Sequence, residues 1–267
     1  MTLIWQVLKE QLLNLNLIFR LGLYEEKSKY KMHYLGAFWQ MLNPIIQITI
    51  YWFVFGLGIR GGSPVGETPF FLWLIVALIP WLFIAPTITQ ASNSIYSNIN
   101  LVSKMKFPVS VLPSIKIVSN SFSFIFMLFI AMVILMLYGF FPGIYLLQLP
   151  YYLFALYFLL FGLTILLSTL TTIIRDIQSM VQSIMRIMLY MLPVLWNVNT
   201  LPDVFVNILK LNPFFYIIEG FRNSLLGGKW FFHDFQYSLY FWFISILILF
   251  IGSTIHLKFR HKFVDYI

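Results

Sequence analysis

Arg186 is the residue whose type and place most need explaining. It sits roughly ten residues into an apolar run, Ile177–Trp196, or about 14 Å from the start of that run at the helical rise. A cation at such depth in a bilayer costs about 3 kcal/mol on insertion scales. Two roles are open to it. Its long stem lets the guanidinium snorkel to the interface or reach a structural partner, or it lines a wet vestibule where its planar fork meets phosphate. The other ionisable groups avoid such positions. All nine carboxylates (Glu10, Glu25, Glu26, Glu67, Asp176, Asp203, Glu219, Asp234 and Asp265) fall away from the middle of the apolar runs. Transporters driven by protons or Na⁺ keep ionisable groups inside the membrane. If this chain moves a substrate, its energy is therefore expected from a partner.

The remaining chemistry is sparse. Of the four histidines, His261 with Asp265 makes only a loose acid–base pair in a solvated tail. Gly228-Lys229-Trp230 is the nearest fragment to a P-loop and fails on both sides, and neither H-E-x-x-H nor G-x-S-x-G occurs. Cysteine is absent, which excludes disulfides and Cys-ligated metals. No catalytic residue, metal site or cofactor is expected in this chain. Glu219 and Arg222, spaced i, i+3, read as a local helix-stabilising pair.

The elements that carry these residues are membrane-spanning. The chain is 60% hydrophobic and 10% charged, with a mean hydropathy of +0.87; an average soluble domain has about 25% charged residues. The expected fold is all-α and integral to the membrane. Six spans are read at about 36–59, 69–92, 114–138, 146–174, 177–196 and 235–257, each long enough for a hydrocarbon core of about 30 Å. Residues 1–35 form an amphipathic interface helix, with Leu8, Leu12, Leu15, Phe19 and Leu23 as its apolar stripe. Residues 259–267 are a basic tail. Of the 17 Lys and Arg, only Arg60, Lys210, Arg222 and Lys229 fall outside on this map, which puts both termini in the cytoplasm. The net charge of +8 then belongs to cytoplasmic loops and anionic lipid rather than to nucleic acid.

Two interruptions stand out. Ser92–Pro113 is polar, with Ile95, Ile99, Val102 and Met105 at helical spacing, and Pro108 and Pro113 are expected to stop that short cytoplasmic helix. It is either an ordinary loop or a lever for a cytosolic motor. Leu201–Gly228 holds apolar pieces too short to cross, which predicts two short re-entrant or interfacial helices, the second opened by Asn212 as N-cap and Pro213. Trp39, Tyr51, Trp52, Phe55, Tyr190 and Trp196 place aromatics on spans 1 and 5, facing lipid, core or a channel.

Several of these segments resemble the type-2 ABC exporter permeases of bacterial surface polysaccharides and teichoic acids. Residues 30–44, YKMHYLGAFWQMLNP, resemble the family's RYK-x-S-x-L-G-x-x-W-x-x-L-N-P signature, departing from it at Met32 and His33. Asn100-Leu101-Val102, Lys106-Phe107-Pro108 and Val111-Leu112-Pro113 are similar to its coupling segment. Arg175-Asp176-Ile177, Leu211-Asn212-Pro213, Phe221-Arg222 and the tail Phe263-Val264-Asp265 follow in the family's order. An uncharged residue is usual where Arg186 stands.

The resemblance implies a homodimeric permease in the bacterial cell membrane, with two ATPase subunits holding ATP and Mg²⁺. It implies an N-terminal gate helix, and a coupling helix whose Ile95, Tyr96, Asn98, Ile99, Leu101 and Val102 meet the ATPase, with Glu25 and Glu26 beside them. Spans 1 and 5, with Trp39, Tyr51, Trp52, Phe55, Arg186, Tyr190 and Trp196, line the path, and Asn212, Pro213, Glu219 and Arg222 belong to an external cap. The substrate is a polymer on a polyprenyl diphosphate lipid. The chain looks most like the teichoic acid translocation permeases of Gram-positive bacteria; O-antigen or capsule export is the alternative. A membrane glycosyl or acyl transferase, or a passive channel subunit, are readings of other classes.

Overall fold

The computed structural model describes residues 2–29, 31, 34–100, 107–198, 201–261 and 263. Its regular elements are helices: α1 (Thr2–Leu13), α2 (Leu15–Ser28), α3 (Trp39–Tyr51, continuing as a π-helix over Trp52–Ile59), α4 (Phe70–Ser92), α5 (Ser94–Ser97), α6 (Val111–Leu137), α7 (Leu149–Ile173), α8 (Asp176–Met191), α9 (Asp203–Lys210), α10 (Pro213–Leu225) and α11 (Phe235–Phe259). Five stretches among the described residues, built on α3, α4, α6, α7 and α11, are long and apolar enough to cross a membrane. The protein is a multi-pass, all-helical membrane protein.

α4 is the central element. It is apolar on every face and the most deeply buried span, as expected of a helix surrounded by others. Pro80 and Pro86 lie inside it without ending it. Phe83 stacks on Phe124 of α6 with centroids 4.4 Å apart, and Phe124 meets Phe221 of α10 at 6.1 Å. α7 and α11 approach most closely through glycine. A Cβ on Gly252 would stand 3.1 Å from the carbonyl oxygen of Gly162, the small-residue contact that lets membrane helices pack backbone to backbone. α3 is the opposite case, with almost none of its length buried.

α8 is shorter than expected. It ends at Met191, and Leu192 turns extended with ψ 153°, because Pro193 forces the residue before it out of helical geometry. Its 16 residues span about 24 Å, short of the bilayer core. Trp196, placed by sequence on the fifth span, lies beyond the helix.

α9 and α10 meet at a bend of 102°. The Asn212 side chain caps α10 by accepting from the Phe214 amide at 3.0 Å, and Pro213 fills the first turn.

At the other end of the bundle the N-terminal segment is two helices, not one. The Asn14 side chain donates to the Glu10 carbonyl at 2.7 Å and breaks the rod, a side-chain bond competing with the helix ladder. The face that packs is also not the leucine stripe: Leu12, Leu15 and Phe19 stay exposed, while Ile18, Gly22 and Glu26 turn inward. Gly22 decides this, since a Cβ there would lie 2.8 Å from Val118 Cγ1 on α6. A small second core gathers Ile18, Ile95, Val111, Leu112, Ile115 and Phe263. Pro113 does not stop a helix; it sits in the first turn of α6, where its missing N–H leaves no bond unmade. Met32, His33, Leu101, Val102, Lys104, Met105, Lys106, Val264 and Asp265 lie outside the described residues.

Candidate functional site

A cavity of about 850 Å³ opens between α3, α4, α6 and α8, with the end of α2 beneath it. Its lining is polar for so apolar a chain. Gln40, Asn43 and Gln47 come from α3, Gln90 from α4, Asn120 from α6 and Gln182 from α8. On α3 the spacing 40, 43, 47 sets three amides on one face, while the other face is the exposed apolar row Ile45, Ile46, Ile50, Phe53 and Val54. Asn43, Gln47 and Gln182 make no side-chain hydrogen bond among the described residues. An amide left unpaired in hydrocarbon costs several kcal/mol, so this face of α3 suits water or a polar cargo, not lipid.

The floor of the cavity is a hydrogen-bonded clamp around Glu26. Its carboxylate accepts from Lys29 Nζ (2.6 Å), Gln40 Nε2 (2.7 Å), Ser123 Oγ (2.9 Å) and Ser119 Oγ (3.1 Å). Lys29 also donates to Asn120 Oδ1 at 2.7 Å, and the Asn120 amide reaches Thr87 and Gln90 on α4. This clamp ties α2, α3, α4 and α6 together. Glu26, expected beside the coupling residues, is 5% exposed, and its carboxylate turns into the bundle. Glu25 is half-exposed and pairs with Lys116 at 2.7 Å.

The path residues read from sequence divide. Tyr51, Arg186 and Tyr190 line the cavity. Arg186 is exposed there, bonded to the Gln182 carbonyl (3.3 Å) and Ser183 Oγ (3.4 Å) of its own helix and in no ion pair among the described residues. The other four do not line it. Trp39 starts α3, Trp52 packs edge-on against Phe71 at 5.8 Å, and Phe55 packs against the core and the Tyr51 ring. Trp196 donates from Nε1 to the Tyr190 carbonyl at 2.8 Å and so satisfies one of the free carbonyls at the end of α8.

α8 is tied to the turn that precedes it in space. The Arg175 guanidinium lies 3.6 Å over the Tyr96 ring and donates to Asn93 Oδ1 at 2.6 Å. One turn on, Gln178 accepts from Ser92 Oγ at 2.8 Å and donates to the Thr89 carbonyl at 3.0 Å. Two further turns along α8 stand Gln182 and Arg186. Within the turn, Ile95 is fully buried and Ile99 half-buried against the small second core. Asn98 bonds back to the Ser94 carbonyl at 2.8 Å, and Ser97 is exposed.

Residues 17–226 match the family described as ABC-2 type transporter. The chain belongs to that family. It is 27% identical over 240 residues to an O-antigen export system permease protein of Klebsiella pneumoniae, covering 90% of each chain. To the protein of the same description from Myxococcus xanthus it is 25% identical over 243 residues, covering 90% of this chain and 91% of the other.

At the far end of this ABC-2 transporter chain, Arg222 is 6% exposed. Its guanidinium lies 3.5 Å over the Trp73 ring of α4, pairs with Glu219 at 2.7 Å and donates to the Val194 carbonyl at 3.3 Å. The pair read as local is thus a rivet between α10, α4 and the segment after α8. Asn212 also reaches Met188 Sδ at 2.9 Å, joining the start of α10 to α8 itself. What sequence reading missed is the amide row of the cavity. The signal was present: three carboxamides at i, i+3 and i+7 in an otherwise apolar span.

Proposed function

We propose that this chain is the membrane-spanning permease subunit of an ATP-driven exporter of a bacterial surface polysaccharide. It works as a homodimer with two ATPase subunits, and carries a glycan attached to a polyprenyl diphosphate lipid outward across the cell membrane. The observation that carries this reading is the polar cavity between α3 and α8, lined by unpaired amides on a helix otherwise clothed in Ile and Phe. Family membership favours transport over a transferase. The names of the relatives favour O-antigen polysaccharide over teichoic acid as the cargo.

The end that gathers α1, α2, α5 and the tail is the cytoplasmic one in this reading, in keeping with its Lys and Arg. There the exposed part of the 93–100 turn meets the ATPase, and Arg175 and Gln178 pass its movement to α8. The uncovered apolar side of α3 faces lipid or the second copy. ATP hydrolysis by the chain co-purified with its ATPase tests this. Stimulation by a lipid-linked polysaccharide is expected; a stable complex indifferent to every such polymer would overturn it.

A further inference from the structure

We propose that the outward face of α1 and α2 is a seat for acidic phospholipid, whose headgroups are held by Lys9, Arg20 and Lys27. This rests on the membrane-spanning fold and not on the exporter reading. The two helices sort their charges by side. Each of their three carboxylates is partnered within the protein: Glu10 by Arg260 and Ser110, both at 2.6 Å, Glu25 by Lys116 at 2.7 Å, and Glu26 by its clamp. Lys9, Arg20 and Lys27 are exposed and make no ion pair among the described residues. The outward face therefore keeps cations and no free carboxylate.

The apolar row beside these cations shows what covers it. Leu12, Leu15 and Phe19 are exposed. Phe19 meets Phe122 of α6 edge-on at 5.8 Å. On α6, Ile125, Phe126 and Phe129 follow Phe122 at helical spacing and are exposed too, so they carry the same apolar surface up a membrane span. The row on α2 thus enters the acyl chains where α6 does. Arg20 and Lys27, seven residues apart, share the neighbouring side of α2, and their long stems carry the charge out to the headgroups. A helix with Leu and Phe on one side and Lys and Arg on the next lies in the interface and is drawn to anionic lipid. Each such cation near an acidic surface gains about fivefold in binding. Lipid that holds α2 against α6 also holds the floor of the cavity, because Glu26 and Lys29 of the clamp belong to the same N-terminal segment.

The chain has no cysteine, so Leu15→Cys gives it a unique point for a fluorophore on the exposed row. The labelled full-length chain, assembled with its ATPase, is placed in phosphatidylcholine vesicles that carry an equal fraction of either brominated phosphatidylglycerol or brominated phosphatidylcholine, and quenching reports the lipid beside the label. The phosphatidylglycerol is expected to associate at least about tenfold more strongly than the phosphatidylcholine. Lys9→Gln, Arg20→Gln and Lys27→Gln together are expected to erase that preference while quenching by phosphatidylcholine persists, which shows the helices still seated in lipid. Lys9→Arg, Arg20→Lys and Lys27→Arg together are expected to keep it. Equal association of the two lipids with the unaltered face, or a preference that survives the three glutamines, would overturn the proposal. Quenching by neither lipid would give the face to a protein partner and overturn it as well. Each of these outcomes leaves the exporter reading standing.

Discussion

The guanidinium of Arg175 rests 3.6 Å over the ring of Tyr96 while its Nη1 bonds Asn93 at 2.6 Å. One residue, at the N-cap of α8, thus grips both Tyr96 within the short α5 turn and Asn93 just before it. The grip links the surface expected to meet an ATPase to the helix that carries Gln182, Arg186 and Tyr190 into the cavity.

Breaking that grip should uncouple the two. Arg175→Ala and Tyr96→Ala are each expected to lower export several-fold per ATP hydrolysed, while Tyr96→Phe keeps the ring face and the coupling. The stability cost stays small, about 0.5–1 kcal/mol for a cation–π contact at an exposed site. Export and hydrolysis measured side by side in the reconstituted complex check this. A proportional fall in both would assign Arg175 to assembly alone.

Glu26 is the residue on which the N-terminal helix depends. Glu26→Ala leaves Lys29 without its ion pair and Gln40, Ser119 and Ser123 without an acceptor. Removing one member of a buried pair costs about 3–5 kcal/mol; the partial exposure of Lys29 puts this case at the low end. Faster amide exchange across residues 15–28, with α7 and α11 unchanged, is the expected result. Uniform exchange throughout would show that the clamp is not local.

Gly22 admits no side chain without movement of α6. Gly22→Ile is expected to push α2 off α6 and destabilise the protein by about 1–3 kcal/mol, the usual range for overpacking. Val118→Ala should restore part of that loss, since Val118 Cγ1 is the nearest obstacle, 2.8 Å from the added Cβ. Thermal unfolding of the single and double variants decides it, and strictly additive losses would contradict the contact.

Arg222→Leu removes a buried cation that joins three elements and strands Glu219. A loss of about 3–5 kcal/mol is expected, read as a lower melting temperature in detergent. Trp73→Phe keeps an aromatic face and should cost much less. Equal losses from the two would mean that packing volume, not the cation, holds α10 to α4.

Much of the architecture is legible from hydropathy and helix punctuation alone. The long apolar runs give the spans, and Asn212-Pro213 announces the start of α10 through its cap and first-turn proline. The failures are equally physical. The leucine stripe of residues 8–23 is a sound pattern for an amphipathic face, yet a lone glycine outranks it, because only Gly22 lets α2 approach the α6 backbone. Pattern also cannot say which way Glu26 points; besides Lys29 at i+3, three donors from α3 and α6 fix that, and they come together only in three dimensions. Pro113 reads as a breaker by type and acts as a helix start by position. Of the aromatics of spans 1 and 5, Tyr51 and Tyr190 line the cavity; the amides beside them, small and uncharged, carry no comparable signal of type or size.

The most direct test of the account places a photo-crosslinker at Gln47, inside the cavity, and at Phe243, exposed on α11 and outside the cavity lining, in the exporter assembled with its ATPase. Under ATP turnover with a lipid-linked glycan supplied, the account predicts glycan captured at Gln47 and none above background at Phe243. Capture at Phe243 with Gln47 silent would place the path elsewhere and contradict the cavity as its route.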